Sequence, residues 1–195
     1  MKNILIVNGA KEFAHSKGVL NDTLVKLAKD LLLENDFNVK TTDVDQGYHI
    51  AEEIEKILWA DCVIYQFPVW WMGSPWIIKK YIDEVFTAGH GKVYAHDGRV
   101  LGDNTKKYGS GGLIHGKKFM LSVTWNAPLE SFIEPNQFFE GKGVDGVFFP
   151  MRKANEFLGM TALPTFMCND VMKNTDFNKY IKEYTEHLKN HIVGK

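Results

Sequence analysis

Residues 4–7 read Ile-Leu-Ile-Val, an apolar run with no polar residue between its members. A strand that is apolar at every position is buried on both faces, as in a parallel sheet covered by helices on each side, and we predict such a strand at residues 2–7. After a polar loop, leucines recur at helical spacing and predict a helix that packs on the sheet through one stripe. This stripe consists of Leu20, Leu24, Leu27 and Leu31. The chain therefore begins as a strand, loop and helix of an α/β protein.

The same alternation continues to the end of the sequence. Further strands are predicted at residues 38–44, 62–67, 118–124 and 165–168. Helices are predicted from Ile50 to Leu58, from Ser74-Pro75 to about Phe86, and at the C-terminus through Phe177, Ile181, Tyr184 and Leu188. Strands that alternate with helices form a parallel sheet with right-handed crossovers. Five such strands most often wind in the order 2-1-3-4-5, and ligands then bind beyond the carboxyl ends of strands 1, 3 and 4.

The length of 195 residues fits one doubly wound domain that spans residues 1–195. Residues 89–116 and 125–150 show little periodicity, so we expect them to be irregular insertions in that domain. Long loops in compact proteins are usually functional or disordered, and aromatic residues such as Tyr94, Tyr108 and Phe138 argue against disorder here.

Charge and composition exclude several classes of function. The chain has 23 Lys and Arg against 24 Asp and Glu, scattered along its length, so we expect neither nucleic acid nor an anionic membrane surface as a partner. No stretch resembles a signal peptide or is long enough to span a bilayer, which predicts a cytoplasmic protein. Cys62 and Cys168 lack metal-ligand spacing, so we expect buried, reduced thiols and no metal site.

The loop from strand 1 into the first helix, residues 8–23, suits a phosphate. Ser16, Asn21 and Thr23 offer side-chain donors there, and the free N–H groups at a helix N-terminus favour an anion. The loop matches neither the G-x-G-x-x-G fingerprint nor the P-loop pattern, which excludes a Rossmann or nucleotide-hydrolase site. The alternative is that these polar residues only cap the helix.

The loop after strand 3, residues 67–76, carries three of the five tryptophans. Trp70, Trp71 and Trp76 could cover a flat aromatic ligand, a partner subunit or the protein's own core. After strand 4, Thr124 and Asn126 offer a hydroxyl and an amide that could hydrogen-bond the pyrimidine edge of a flavin. Together the three loops place phosphate-binding, stacking and edge-reading groups around one switch point, which favours a stacked isoalloxazine ring.

Several motifs resemble those of the modulator of drug activity B family, a group of bacterial NAD(P)H:quinone reductases with a flavodoxin-like fold. The resemblance covers essentially the whole chain and is carried by residues 3–6, Ser16 with residues 20–24, residues 59–61, 68–80, 106–112 and 124–128. It implies a homodimer that binds FAD, with FMN as the alternative, and that uses NAD(P)H and a quinone. Relatives commonly have Gly where this chain has Val69, and a β-branched residue resists positive φ.

Cofactor contacts are expected, from the resemblance, in four segments of the chain. They are Ser16, Lys17, Gly18, Val19, Leu20, Asn21, Asp22 and Thr23; Pro68, Val69, Trp70, Trp71 and Met72; Tyr108; and Thr124, Trp125, Asn126 and Ala127. No residue is predicted to be catalytic, because a bound flavin would carry hydride from NAD(P)H to a quinone in a ping-pong cycle without a protein nucleophile.

Two functions from other classes remain open at this point. One is a regulatory subunit of a membrane transporter that binds flavin or nucleotide. The other is a one-electron carrier that holds FMN, although the net charge of −1 lacks the acidic docking surface typical of such carriers.

Overall fold

The protein is described by a computed structural model that covers residues 1–14 and 16–194. Six strands form one parallel sheet: β1 (Asn3–Asn8), β2 (Asn38–Asp43), β3 (Cys62–Pro68), β4 (Lys118–Thr124), β5 (Thr161–Ala162) and β6 (Phe166–Cys168). Seven α-helices lie between or after them: α1 (Val19–Glu34), α2 (Ile50–Trp59), α3 (Trp76–Ala88), α4 (Glu130–Ile133), α5 (Gly143–Val147), α6 (Phe149–Phe157) and α7 (Phe177–Leu188). A 3-10 turn at Val44–Gln46 and a π-helical turn at Lys189–Val193 complete the described elements.

The sheet has the order β2-β1-β3-β4-β5. Strand β6 also pairs with β4, further along that strand than β5. The predicted α/β class and the strand order 2-1-3-4-5 are therefore confirmed. The fifth strand differs from the prediction, because it is split into β5 beside Lys118 and β6 beside Ser122. Pro164 lies between the two pieces, after the N–H of Leu163 has donated to the carbonyl of Phe119 at 2.7 Å.

Two apolar layers cover the two faces of the sheet. One layer packs under α2, α3 and α6, and the other under α1 and α7. Ile4 and Ile6 of β1 face α1 and α7, whereas Leu5 and Val7 face the opposite layer. The fully apolar run at the start of the chain is thus buried on both sides, as predicted.

Two helices differ in detail from their predictions. The most buried face of α1 is formed by Asn21, Leu24, Ala28 and Leu32, and the other predicted leucines flank it. Helix α3 begins at Trp76, because Pro75 has an extended ψ of 148° and lies outside the helix.

Residues 89–116 form turns and isolated bridges, whereas residues 125–150 include the short helices α4 and α5. Within residues 1–14 and 16–194, no helix is long and apolar enough to cross a membrane.

Candidate functional site

Three loops leave the carboxyl ends of β1, β3 and β4 at the same edge of the sheet, because these neighbouring strands are parallel. Backbone hydrogen bonds continue past the strands and hold the loops together. The N–H of Gly9 donates to the carbonyl of Gln66 at 2.8 Å, and the N–H of Val69 donates to that of Thr124 at 2.9 Å. This edge is the candidate ligand site.

The first loop turns into α1 at Gly18, which is buried and has a φ of 75°. Gly18 is the N-cap residue and has no side chain with which to cap the helix. In the part of the chain that the structure describes, the N–H groups of Val19, Leu20 and Asn21 donate to no acceptor. Free N–H groups at the positive end of a helix dipole bind anions well, so this turn can hold a phosphate through its main chain.

Two of the three predicted side-chain donors of this loop are used inside the protein. Asn21 is buried, its Nδ2 donates to Thr124 Oγ1 at 3.0 Å, and its Oδ1 accepts from Gln66 Nε2 at 2.8 Å. The hydroxyl of Thr23 donates to the carbonyl of Val19 at 2.8 Å. Ser16 is half-buried beside them, and its backbone pairs with Phe13 through two bonds of 2.9 Å. Phosphate binding at Asn21 would thus use the main-chain N–H rather than the side chain, and Thr23 has its hydroxyl bonded inside the helix.

The loop after β3 makes a tight turn between Trp70 and Gly73, whose backbones exchange hydrogen bonds of 3.0 and 3.1 Å. Both central residues have positive φ, 46° for Trp71 and 62° for Met72, as in a type I′ turn. Left-handed backbone at two non-glycine residues costs roughly 1–2 kcal/mol each. Val69 does not adopt positive φ, so its β-branched side chain is tolerated there.

The aromatic residues of the turn separate into two groups. Trp70 and Trp76 pack with Phe13 of the first loop, at centroid distances of 4.7 Å for Phe13 to Trp70, 5.3 Å for Trp70 to Trp76 and 5.1 Å for Phe13 to Trp76. Trp71 is instead 96% exposed. We call the set Phe13, Trp70 and Trp76 the aromatic cluster. Sequence reasoning missed Phe13, although an aromatic residue in an otherwise polar loop was the signal that could have identified it.

The loop after β4 is anchored through side chains and through main-chain bonds to the segment after β6, in which Trp125 N–H donates to the carbonyl of Cys168 and Ala127 accepts from Asp170 N–H. The hydroxyl of Thr124 is buried against Asn21, and Trp125 is buried against Phe132 at 4.8 Å. Asn126 Oδ1 accepts from the N–H of Met172 at 3.1 Å. Among the described residues, the N–H groups of Asn126 and Ala127 have no acceptor. Hydrogen bonds from this loop to the edge of a ligand would therefore come from backbone N–H groups.

Tyr108, the remaining predicted contact, lies elsewhere. It is 70% exposed and packs against Phe157 of α6 at 5.6 Å and under Arg99 at 5.6 Å. In the described chain, no hydrogen bond or aromatic contact joins it to the three loops. It lines a groove between α3 and α6 that continues towards Met72.

The cysteines and histidines offer no alternative chemistry in the parts of the chain described. Cys62 and Cys168 are free and buried as predicted, and burial raises the pKa of each thiol to about 12. Thiols with such pKa values stay protonated and are poor nucleophiles. His187 and His191 stack at 4.4 Å at the end of α7, and no group of three or more candidate metal ligands occurs among the described residues.

Comparison with known proteins identifies the family. Residues 2–192 match a family described as having a flavodoxin-like fold. The chain is 55% identical over 186 residues to the NADPH:quinone oxidoreductase MdaB of Haemophilus influenzae, an alignment that covers 95% of this chain and 97% of that protein.

Solved structures share the fold at lower sequence identity. A candidate quinone reductase from Klebsiella pneumoniae superposes with a TM-score of 0.77 at 24% identity, over 97% of this chain and 85% of that one. The general stress protein 14 of Treponema denticola, solved in complex with FMN, gives a TM-score of 0.68 at 18% identity over 96% of both chains. At these identities the likeness concerns the fold alone. The family match and the relative from Haemophilus influenzae confirm the resemblance that the sequence motifs indicate. The chain belongs to the modulator of drug activity B family, within the group of proteins with a flavodoxin-like fold.

Proposed function

We propose that the protein is an NAD(P)H:quinone oxidoreductase that works through a bound flavin, FAD, in a ping-pong cycle. One observation carries this proposal: at one sheet edge, the first loop and the loop after β4 have backbone N–H groups with no acceptor among the described residues, and the aromatic cluster joins the first loop to the loop between them. The activity of the Haemophilus influenzae relative, at 55% identity over nearly the whole chain, supports the reaction. A bound flavin would supply the two-electron redox chemistry that none of the side chains at this edge provides.

The donor chemistry of the site fits a flavin at both of its ends. The N–H groups of Val19, Leu20 and Asn21 point to an anion such as the cofactor phosphate, and the α1 dipole adds to their attraction. The N–H groups of Asn126 and Ala127 suit the carbonyl and nitrogen acceptors of a pyrimidine ring, and they stabilise negative charge there. Neither set uses a charged side chain.

The aromatic residues supply an apolar wall and a cover. The aromatic cluster joins the first loop to the loop after β3 and gives this edge an apolar surface. Trp71 extends from the turn into solvent and is free to contact a ring bound at this edge. We propose that NAD(P)H and the quinone occupy this exposed position in turn, which gives ping-pong kinetics.

The proposal of FAD rather than FMN rests on the family resemblance, and the Treponema denticola neighbour holds FMN. Extraction of the cofactor from purified protein and its identification by mass decides between them. FAD at one molecule per chain is the expected result.

We further propose a homodimer in which Tyr108 approaches the site of the partner subunit. Large apolar side chains that line the groove between α3 and α6 are exposed, among them Met72 and Tyr108. Exposed apolar patches of this kind mark interaction surfaces. Sedimentation at several protein concentrations tests the dimer directly.

The reaction itself is tested by stopped-flow spectroscopy. The expected record shows flavin absorbance lost on addition of NAD(P)H and regained on addition of menadione, with parallel lines in a double-reciprocal steady-state plot. Bound flavin without quinone turnover would contradict the enzyme and favour a carrier or regulatory protein. Intersecting lines would contradict the ping-pong cycle alone.

A further inference from the structure

The layer under α1 changes from apolar to polar at the edge of the sheet that carries the site. The α1-facing side chains of the three central strands are first apolar, namely Ile4, Ile6, Cys62, Ile64 and Met120. The next positions on the same face are polar and buried, namely Asn8, Gln66, Ser122 and Thr124. A buried polar layer is costly, so its hydrogen bonds indicate what it holds in place.

Gln66 is the centre of this layer. Its side chain is fully buried in β3, between Asn8 of β1 and Ser122 of β4 in register. Nε2 of Gln66 donates to Asn21 Oδ1 at 2.8 Å, and Nδ2 of Asn21 donates to Thr124 Oγ1 at 3.0 Å. One chain of hydrogen bonds therefore runs from the middle strand through the first turn of α1 to the last residue of β4.

The two ends of this chain of bonds border the two sets of free N–H groups. Asn21 is the third residue of α1, so its own N–H belongs to the set at the helix start. Thr124 is two residues before Asn126, whose N–H belongs to the other set. Any movement of Asn21 relative to Thr124 would change the separation of the phosphate donors from the edge donors.

Packing alone does not account for an amide at position 66. The Oε1 atom of Gln66 has no hydrogen-bond donor among the described residues, and an apolar side chain would avoid that unpaired atom. An apolar side chain would, however, leave Asn21 Oδ1 with only the hydroxyl of Thr124, at 3.4 Å. The amide is therefore explained by the bond to Asn21.

We infer that Gln66 is a positioning residue, which acts through Asn21 to fix the distance between the N–H groups that hold the flavin phosphate and those that meet its pyrimidine edge. This inference rests on the proposed function. Gln66 touches no reacting atom; it sets the spacing that one rigid cofactor must satisfy at both ends.

The test replaces Gln66 by Met, which has a similar volume and cannot donate, and by Glu, whose protonated carboxyl group can donate to Asn21 Oδ1 as the amide does. The matched control is Ile64→Val, on the same strand and the same face but outside the hydrogen-bonded layer. For each purified holoprotein, the dissociation constant for FAD and the midpoint potential of the bound flavin are measured, together with the unfolding temperature.

Gln66→Met is expected to bind oxidised FAD about tenfold more weakly. It should lose a further tenfold for reduced FAD, because the edge donors no longer match the negative charge; for a two-electron couple this lowers the midpoint potential by about 30 mV. Gln66→Glu should bind FAD with a dissociation constant within threefold of that of the unmodified protein. Ile64→Val should unfold at a lower temperature with an unchanged potential.

A Gln66→Met protein with the same FAD affinity and potential as Ile64→Val would overturn the positioning role while leaving the proposed function intact. Unmodified protein that binds no flavin would overturn both. Gln66→Asn, whose shorter amide cannot reach Asn21, is made in case Gln66→Met does not fold, and the same losses are expected of it. If neither folds, Gln66 serves stability rather than positioning, and the inference is wrong.

Discussion

Replacement of Gly18 by Ala tests whether the start of α1 holds a phosphate. Gly18 has a φ of 75°, and an added Cβ would lie 3.4 Å from the Cβ of Ala10, which is ordinary contact. The cost of the change is therefore backbone strain, roughly 1–2 kcal/mol for an L residue in this region. For a chain of this size that lowers the unfolding temperature by about 2–8 °C.

Gly116→Ala is the matched control for that experiment. Gly116 has a similar φ of 84°, nothing lies within 4 Å of an added Cβ, and it precedes β4 at the edge opposite the site. Both variants should lose similar stability, measured by thermal unfolding of the flavin-free protein. Only Gly18→Ala should also bind FAD at least tenfold more weakly, a loss of about 1.4 kcal/mol, because the strained turn moves the N–H groups that follow it. Equal FAD affinity in the two variants would refute phosphate binding at this turn.

Three further variants give separate expectations. Tyr108→Ala should leave the unfolding temperature of the flavin-free protein nearly unchanged, since the ring is exposed, but should lower flavin content; unchanged content and kinetics would remove Tyr108 from the site. Tyr65→Phe should cost about 1–3 kcal/mol in urea unfolding, because the buried hydroxyl donates to Asn155 Oδ1 at 2.9 Å; a loss below 0.5 kcal/mol on the same scale would show that the bond is dispensable. The N–H of Lys2 lowers the pKa of Asp61, so Asp61 stabilises the fold above its ordinary carboxyl pKa and loses that effect as pH falls through the lowered value. Asp61→Asn should therefore be less stable at neutral pH and approach the unmodified protein in acid, and parallel unfolding-temperature curves against pH would contradict this.

The fold could be predicted because the burial of its central strands is visible in runs of consecutive apolar residues. The run at residues 4–7 is apolar on both faces, and β3 and β4 repeat the pattern, so the central three strands were located to within a residue. Strand β5 has only two residues, which is too short for any periodicity to register. Its existence depends on pairing with β4, a tertiary contact that local pattern does not contain.

The loops of the candidate site could be predicted from the sequence, but the hydrogen bonds of their side chains could not. Sequence identifies Asn21 and Thr124 as polar residues in the right loops, and both were assigned to the ligand. In the fold their side chains point into the layer under α1 and bond each other. Gln66 was missed for the complementary reason, since it lies inside a strand that otherwise reads as apolar.

These two observations have a common physical origin. At this edge the side chains of Asn21 and Thr124 hydrogen-bond each other, and that of Asn21 also bonds Gln66. The groups that remain available to a ligand among the described residues are therefore main-chain N–H groups. A site made of N–H groups depends on loop conformation rather than on residue type, and the β-branched Val69 is compatible with this loop because it does not adopt positive φ. Substitutions in these loops should accordingly matter in proportion to how far they move the backbone. Gly18 and Gln66 are sensitive on this view, although neither needs to contact the reacting ring.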